Sequence, residues 1–207
     1  MKTLLHVLPI LSVLSCASCG AGAPALAAGG FPLGKPGSFP LAEIQAMVKE
    51  PVLHTAFVPE APLGITTPLA EVIPADNPLT RAKVELGRQL YFDARLSRDG
   101  TIACASCHHP DAGWADAAAV STGVKSQKGG RSAPTIVNRV LGPTQFWDGR
   151  AKSLEEQALG PIQNPLEMGF TQEDAVALLN SIEGYRVQFE AVFGGPATAE
   201  RVGKALA

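Results

Sequence analysis

Cys104-Ala105-Ser106-Cys107-His108 stands at the middle of this 207-residue chain. Two cysteines followed directly by a histidine at this spacing are typical of a c-type haem attachment site. Positions i, i+3 and i+4 share one face of a helical turn, so both thiols and the imidazole can reach one porphyrin. We therefore predict one covalently bound haem c, attached at Cys104 and Cys107, with His108 as a ligand of its iron.

Two other interpretations of the paired cysteines are weaker. A redox disulfide of the thioredoxin kind requires a strand followed by a helix, and this pattern is missing around Cys104. A zinc site requires further Cys or His ligands at suitable spacing. The chain has only four histidines, so the haem interpretation is favoured over both.

The first residues have the pattern of an export signal. Lys2 precedes an apolar run over residues 4–14, and Ala25-Leu26-Ala27 fits a small-residue cleavage site. This run is too short to span a bilayer. We predict a signal peptide over residues 1–27 and a periplasmic protein. Cys16 follows a sequence that loosely resembles a lipoprotein signal, so a lipid anchor stays an alternative.

The charge of the chain argues against some partners. The formal net charge is −2, and no run of lysine or arginine stands out. Nucleic acid and anionic membranes are therefore not expected partners. Beyond the N-terminal apolar run, no segment is suited to cross a membrane.

The remaining chain divides into an arm and a helical domain. Residues 28–77 are rich in glycine and proline and predict a surface arm or linker, interrupted by a short helix around residues 41–49. Residues 78–207 predict an all-α domain, because no useful β-alternation and no internal repeat appear. Within it, residues 109–150 are loop-like, and helices are expected near residues 79–91, after Ser153, from Thr171 to about 183, at 185–192 and after Thr198.

Two helix ends carry specific expectations. Ser153 begins a capping-box pattern, and Gly160 with Pro161 should close that helix. The last helix ends with the chain, and its apolar residues Val202, Ala205 and Leu206 are expected to lack a partner. This pattern predicts the N-terminal part of a longer protein.

The second axial position of the iron decides between functions. Met168 follows His108 at a plausible distance for a His/Met electron-carrier cytochrome. His109 adjoins the iron ligand and should not reach the opposite face. His54 lies upstream in the arm and is interpreted as a surface residue.

Several further motifs appear in a fixed order around the haem motif. Together they resemble the N-terminal haem domain of bacterial di-haem cytochrome c peroxidases and the related MauG-like enzymes, over residues 78–207. The resemblance implies two all-helical cytochrome c-like domains, with one haem each, of which these residues form the first and a missing C-terminal domain would hold the second. The motifs are Leu86-Gly87-Arg88-Gln89-Leu90-Tyr91-Phe92-Asp93, Gly130-Arg131-Ser132-Ala133-Pro134-Thr135, Phe146-Trp147-Asp148-Gly149-Arg150, Gln157-Ala158-Leu159-Gly160-Pro161 and Asn164-Pro165-Leu166-Glu167-Met168.

The resemblance also implies roles for single residues. His108 would be the proximal ligand of the peroxidatic haem, and Glu167 the acid–base residue on its open face. Gln157 would be the hydrogen-bonding companion of Glu167, and Trp147 the aromatic residue between the two haems. Many peroxidases of this family place an iron-binding histidine after a Ser-x-Gly stretch, whereas Val124 stands there. We therefore expect a five-coordinate haem that needs no reductive activation, as in the MauG-like branch.

Three functions remain open from the sequence. The first is an exported peroxidase that reduces hydrogen peroxide with electrons from a small donor protein, a cytochrome c or a cupredoxin. The second is a MauG-like oxidase of a protein or organic substrate, and the third a mono-haem carrier with His108 and Met168 as ligands. Without a second haem, this piece is also expected to turn over poorly. The resemblance further implies a calcium ion, although Ser132 replaces a common asparagine, and a homodimer is a further expectation.

Overall fold

The computed structural model describes residues 40–207. The predicted signal peptide, residues 1–27, and the first part of the predicted arm lie outside the described residues. The described part is helical and contains only isolated β-bridges in place of strands, so the expected all-α fold is confirmed. Its α-helices in chain order are α1 (Leu41–Met47), α2 (Leu69–Val72), α3 (Arg81–Phe92), α4 (Cys104–Cys107), α5 (Leu154–Gln163), α6 (Gln172–Ser181), α7 (Glu183–Phe193) and α8 (Ala199–Leu206).

The core lies among helices α3, α5, α6, α7 and α8. Leu86 and Leu90 of α3 are spaced four residues apart, so they share one helix face, and both are fully buried. Phe189 of α7 and Ile162 of α5 are buried in the same cluster. Residues 109–150 contain only short 3₁₀ turns, which confirms the predicted loop. This loop begins directly after the α4 turn and ends shortly before α5.

Three helix starts follow the predicted capping chemistry. The hydroxyls of Ser153, Thr171 and Thr198 accept hydrogen bonds from the backbone N–H groups of Glu156, Asp174 and Arg201. Each of these contacts satisfies a backbone donor that a helix start leaves without an intrahelical partner. The sequence-based positions of these starts are confirmed.

The predicted end of α5 at Gly160 and Pro161 is wrong, because the helix continues to Gln163. Pro161 removes only one N–H donor near the end of the helix. The carbonyls of the last turn find other donors: Asn164 N binds Gly160 O at 3.1 Å, and Met168 N binds Pro161 O at 3.2 Å. The chain that folds back after α5 therefore stabilises the extra turn.

The expectation that the last helix lacks a partner is also wrong. Val202 and Ala205 are buried, and α8 packs against both α3 and α5. Glycines on both sides permit this approach. A Cβ atom added to Gly87 would lie 1.9 Å from Ala205 O, and one added to Gly203 would lie 2.9 Å from Glu155 O.

Within the described residues, the arm packs against the helical body at several places, and two of them involve buried side chains. Ile44 of α1 is buried, and α1 packs against α7. Asn77 donates to Glu155 Oε1 at 2.9 Å and to Lys204 O at 3.1 Å. Its own Oδ1 accepts from the buried Lys83 ammonium at 2.7 Å. Among residues 40–207, which the structure describes, no helix has the length and apolar composition needed to cross a bilayer.

Replacing Gly87 with alanine is expected to destabilise the protein by about 1–3 kcal/mol, the usual cost of overpacking. The new methyl group would meet backbone atoms of Ala205, which cannot move without separating α3 from α8. This cost outweighs the gain of about 1 kcal/mol in helix propensity. Urea unfolding of the holoprotein measures the effect.

Gly130→Ala is the matched control, because a Cβ atom there meets nothing within 4 Å. Its free energy of unfolding should change by no more than about 0.5 kcal/mol. Equal stability of the two variants would show that the close contact of α3 with α8 is absent in solution.

Candidate functional site

The haem motif forms a helical turn of its own. Helix α4 spans Cys104 to Cys107, and His108 N donates to Cys104 O at 3.0 Å, so the turn extends to the histidine. Ser106 closes the start of the turn by accepting a hydrogen bond from Ala103 N at 3.0 Å. Both cysteines are free thiols that are only half-buried. The structure therefore places both thiols and the imidazole on one turn, as haem attachment requires.

A backbone carbonyl sets the orientation of the His108 ring. His108 Nδ1 lies 2.9 Å from Pro134 O. A carbonyl oxygen only accepts, so Nδ1 carries the proton and Nε2 keeps its lone pair for a metal. Burial lowers the pKa of His108, which also favours the neutral form that binds iron. These features fit a haem iron ligand.

The thiols do not resemble a redox pair. Burial raises the pKa of Cys104 to about 12 and also raises the pKa of Cys107. Reactive redox cysteines have lowered pKa values instead. The described residues also contain no group of three or more His, Cys, Asp or Glu side chains that could hold a metal ion. The donor set of Cys104, Cys107 and His108 fits a haem c better than either alternative.

Glu167 lies in the loop between α5 and α6, where Asn164 organises the chain. The carboxylate accepts a hydrogen bond from Asn164 Nδ2 at 2.8 Å. Asn164 O accepts from the N–H groups of Glu167 at 3.0 Å and of Gly169 at 2.9 Å. Glu167 is half-buried, and its position is therefore fixed by one side chain and by the backbone of its own loop.

Burial raises the pKa of Glu167, although the hydrogen bond from Asn164 and the charge of Arg150 act in the opposite direction. Burial is the main cause of the raised pKa of the Cys107 thiol, and the charges of Asp116 and Glu167 raise it further. The carboxylate therefore lies within electrostatic range of the haem attachment turn. A carboxyl group with a raised pKa beside a cofactor site is a candidate for proton transfer.

A second loop lies directly on the Glu167 loop. Val124 N donates to Glu167 O at 2.8 Å, and Gln127 Nε2 donates to Pro165 O at 3.1 Å. A Cβ atom at Gly123 would lie 2.0 Å from Leu166 O, so only glycine fits this contact. Val124 is buried in this contact.

Gln157 and Trp147 lie in different settings. Gln157 is half-buried on α5. Trp147 is 66% exposed, and its indole N–H donates to Ser132 O at 2.9 Å. Trp147 is therefore not a core residue. Ser132 Oγ binds Asp116 O at 3.4 Å, and the calcium expectation at this position stays a prediction.

Met168 and the other candidate iron ligands are placed less favourably. Met168 is 2% exposed and packs in the hydrophobic core with Leu86 and Ile162. His109 has a side chain that is 57% exposed, and its Nδ1 accepts from Asp111 N at 3.3 Å. His54 binds Val48 O at 2.9 Å in the arm.

Sequence reasoning missed three contributors to the site. Pro134 acts through its carbonyl, Asn164 through its amide, and Arg150 through its charge on Glu167. The Arg150 guanidinium also stacks 3.5 Å above the Phe146 ring. All four residues belong to the ordered motifs, which was the only signal for them in the sequence.

Known proteins resemble this chain over its helical domain. The family model for di-haem cytochrome c peroxidase matches residues 81–207. The cytochrome c551 peroxidase of Nitrosomonas europaea is 43% identical over 70% of this chain and 46% of its own length. The methylamine utilization protein MauG of Methylophilus methylotrophus is 44% identical over 65% of this chain and 40% of its own length.

A solved structure shows the same fold. It is a MauG-like protein associated with microbial copper homeostasis, with a TM-score of 0.66 and 32% identity. The match covers 73% of this chain and 45% of that protein. This chain thus spans less than half the length of the relatives described. Through the matched helical domain and its haem motif, the chain belongs to the di-haem cytochrome c peroxidase family.

Proposed function

We propose that this domain reduces hydrogen peroxide at a haem c that is attached to Cys104 and Cys107 and ligated by His108. The electrons would come from a small donor protein, a cytochrome c or a cupredoxin, in the periplasm. The main support for this proposal is the half-buried carboxylate of Glu167, held by Asn164 within electrostatic range of the haem attachment turn. The peroxidases among the relatives support it.

The chemistry needs a group that moves a proton between the two peroxide oxygens. Reduction of hydrogen peroxide to two water molecules consumes two electrons and two protons. A haem supplies the iron that exchanges these electrons. Glu167 would accept a proton from the inner oxygen and deliver it to the outer oxygen, which then leaves as water. Asn164 keeps the carboxylate in one orientation during this transfer.

Two further residues have proposed roles in this reaction. Gln157 would donate a hydrogen bond on the Glu167 side of the haem, and Trp147 would pass electrons towards a second haem. The exposure of Trp147 supports its role, because an aromatic ring at the surface is available to a second domain. A calcium ion, a second haem and a homodimer remain part of this proposal.

The electron carrier is less well supported. A carrier would use the Met168 thioether as its second iron ligand. That side chain is covered by protein on all sides, in contact with the hydrophobic core. Its burial therefore favours a catalytic haem over a His/Met carrier.

The MauG-like oxidase is supported by a different observation. The loop with Val124 is joined to the Glu167 loop through the contacts of Val124 N and Gln127 Nε2. A loop held in this way offers valine in place of an iron ligand. The same site would then oxidise a protein or organic substrate, as proposed from the similarity to MauG proteins.

Addition of peroxide and a reduced cytochrome c to the holoprotein tests the proposed function. A peroxidase consumes peroxide and oxidises two donor molecules for each peroxide. Consumption that needs an organic substrate in place of the cytochrome would favour the MauG-like function. Absence of any reaction with peroxide would contradict both and favour the carrier.

The oxidised haem at His108 is expected to be high-spin at rest, because neither Val124 nor the buried Met168 supplies a second strong ligand. Absorption and electron paramagnetic resonance (EPR) spectra of the oxidised holoprotein measure the spin state. Met168→Leu conserves volume and should leave the spectrum unchanged. A resting haem that is entirely low-spin, and that loses this character in Met168→Leu, would contradict the expectation.

The rate of peroxide reduction is expected to fall on the acid side with a midpoint above 4.5, the ordinary pKa of a glutamate. Burial disfavours the charged carboxylate and so raises the pKa of Glu167. The proton-accepting form is the carboxylate, and it is lost as the pH falls through this raised value. Measurement of kcat/KM against pH shows the limb, and Glu167→Gln should remove it. The same limb in that variant would assign the titration to another group.

A further inference from the structure

Three aromatic side chains pack against the haem attachment turn, and we call them the proximal cluster. They are Tyr91 and Phe92 at the end of α3 and Trp114 in the loop after the haem motif. The centroid of the Trp114 ring lies 5.8 Å from that of Tyr91 and 6.4 Å from that of Phe92. The rings of Tyr91 and Phe92 are 5.2 Å apart. All three pairs lie within the range of direct aromatic contact.

Hydrogen bonds connect the proximal cluster to His108 and to the next residue, His109. Tyr91 Oη donates to His108 O at 2.8 Å. Trp114 N donates to His109 O at 2.9 Å. Burial raises the pKa of Tyr91. The cluster therefore borders the haem attachment turn on the side of His108.

The backbone at Trp114 is strained. Gly113 and Trp114 both adopt left-handed conformations, with φ values of 67° and 60°. A bulky residue in this region costs on the order of 1–3 kcal/mol, and such strain is concentrated at functional positions. Ile136 N binds Trp114 O at 3.2 Å, and Thr135 Oγ1 binds Gly113 O at 2.7 Å. The chain thus retains a tryptophan where glycine or asparagine would fit with less strain.

The three side chains differ in how easily each loses an electron. Phenylalanine is not oxidised under biological conditions. Oxidation of Tyr91 releases its phenolic proton, and the His108 carbonyl that binds this O–H cannot take up a proton. Tryptophan can lose one electron and keep its N–H as a cation. Trp114 is also half-buried, so its indole reaches both the cluster and the surface.

We propose that Trp114 is a one-electron relay between the haem and the protein surface on the His108 side. This inference rests on the proposed function, which supplies peroxide as the oxidant. Peroxide and two protons take two electrons through the haem and become two water molecules. Trp114 supplies one of these electrons along the contacts through Tyr91 and His108, and a donor protein supplies the other through the haem. A second donor molecule later returns one electron to the indole cation.

EPR spectroscopy of the holoprotein, frozen after mixing with peroxide, tests this proposal. The protein should show an organic radical whose hyperfine pattern changes when its tryptophans carry deuterated indole rings. Trp114→Phe keeps an aromatic ring in the cluster and should lose this signal. Trp147→Phe should keep it, and so should Phe92→Leu, which alters packing without removing an oxidisable group.

Peroxide consumption, haem content and the resting spectrum are measured on the same samples. A radical that persists in Trp114→Phe, or that is lost only in Tyr91→Phe or Trp147→Phe, overturns the relay. Peroxide consumption without any organic radical also overturns it and leaves the proposed function in place. No peroxide consumption by the unaltered holoprotein overturns the proposed function and the relay together.

Discussion

Glu167→Gln lowers the rate of peroxide reduction by about 10²–10⁴-fold, which is the usual contribution of a general acid–base group. Glutamine keeps the shape of the side chain and an oxygen that can accept the hydrogen bond from Asn164 Nδ2. It cannot accept and return a proton. Stopped-flow measurement of the reaction of the holoprotein with peroxide gives the rate directly.

Glu173→Gln is the matched control for this substitution. Glu173 is an exposed residue in the first turn of α6, away from the Glu167 loop contacts. Its replacement should leave the rate unchanged, because it removes the same charge without touching the site. Equal rates for both variants and the original protein would assign the proton transfer to another group.

His108→Ala is expected to abolish peroxide reduction, because the iron loses its only proposed protein ligand. Alanine also breaks the hydrogen bond to Pro134 O, which orients the ring. The variant should therefore lose the spectrum of a histidine-ligated haem as well as activity. Absorption spectra of the reduced protein and the peroxide assay measure both effects.

His109→Ala is the control, because it shows whether the loss of activity is specific to the iron ligand His108 or follows from removing either of the two adjacent histidines. The His109 side chain is 57% exposed and contacts the backbone of Asp111. We expect this variant to keep its haem spectrum and its reaction with peroxide. Loss of the haem spectrum in His109→Ala and its retention in His108→Ala would reverse the assignment of the ligand.

The fold was predictable where local chemistry decides it. Ser153, Thr171 and Thr198 each supply a hydroxyl to an N–H of the helix that follows. Such contacts need only residues that are near in sequence, so they can be read without tertiary information. The predictions for the end of α5 and for α8 failed because distant residues decide them. The folded-back loop extends α5 past Pro161, and α3 and α5 cover α8.

In the candidate site, too, local contacts were predictable from the sequence and contacts between distant residues were not. The spacing of Cys104, Cys107 and His108 fits a single helical turn, and the structure shows that turn. The contact between His108 and Pro134 involves a backbone carbonyl, which carries no side-chain signature. The contact of Gly123 with the Glu167 loop also depends on how two distant segments meet. The sequence therefore predicted the helical turn that carries Cys104, Cys107 and His108, whereas the contacts that orient the candidate groups required the three-dimensional structure.

Every function proposed above requires a haem that is joined to Cys104 and Cys107 through thioether bonds. Intact-protein mass spectrometry tests it directly, on mature protein from cells with active cytochrome c maturation, after extraction with acidified organic solvent. We expect the added mass of one haem in the unaltered chain and none in Cys104→Ala/Cys107→Ala. An unaltered chain without any added porphyrin mass under these conditions would contradict it.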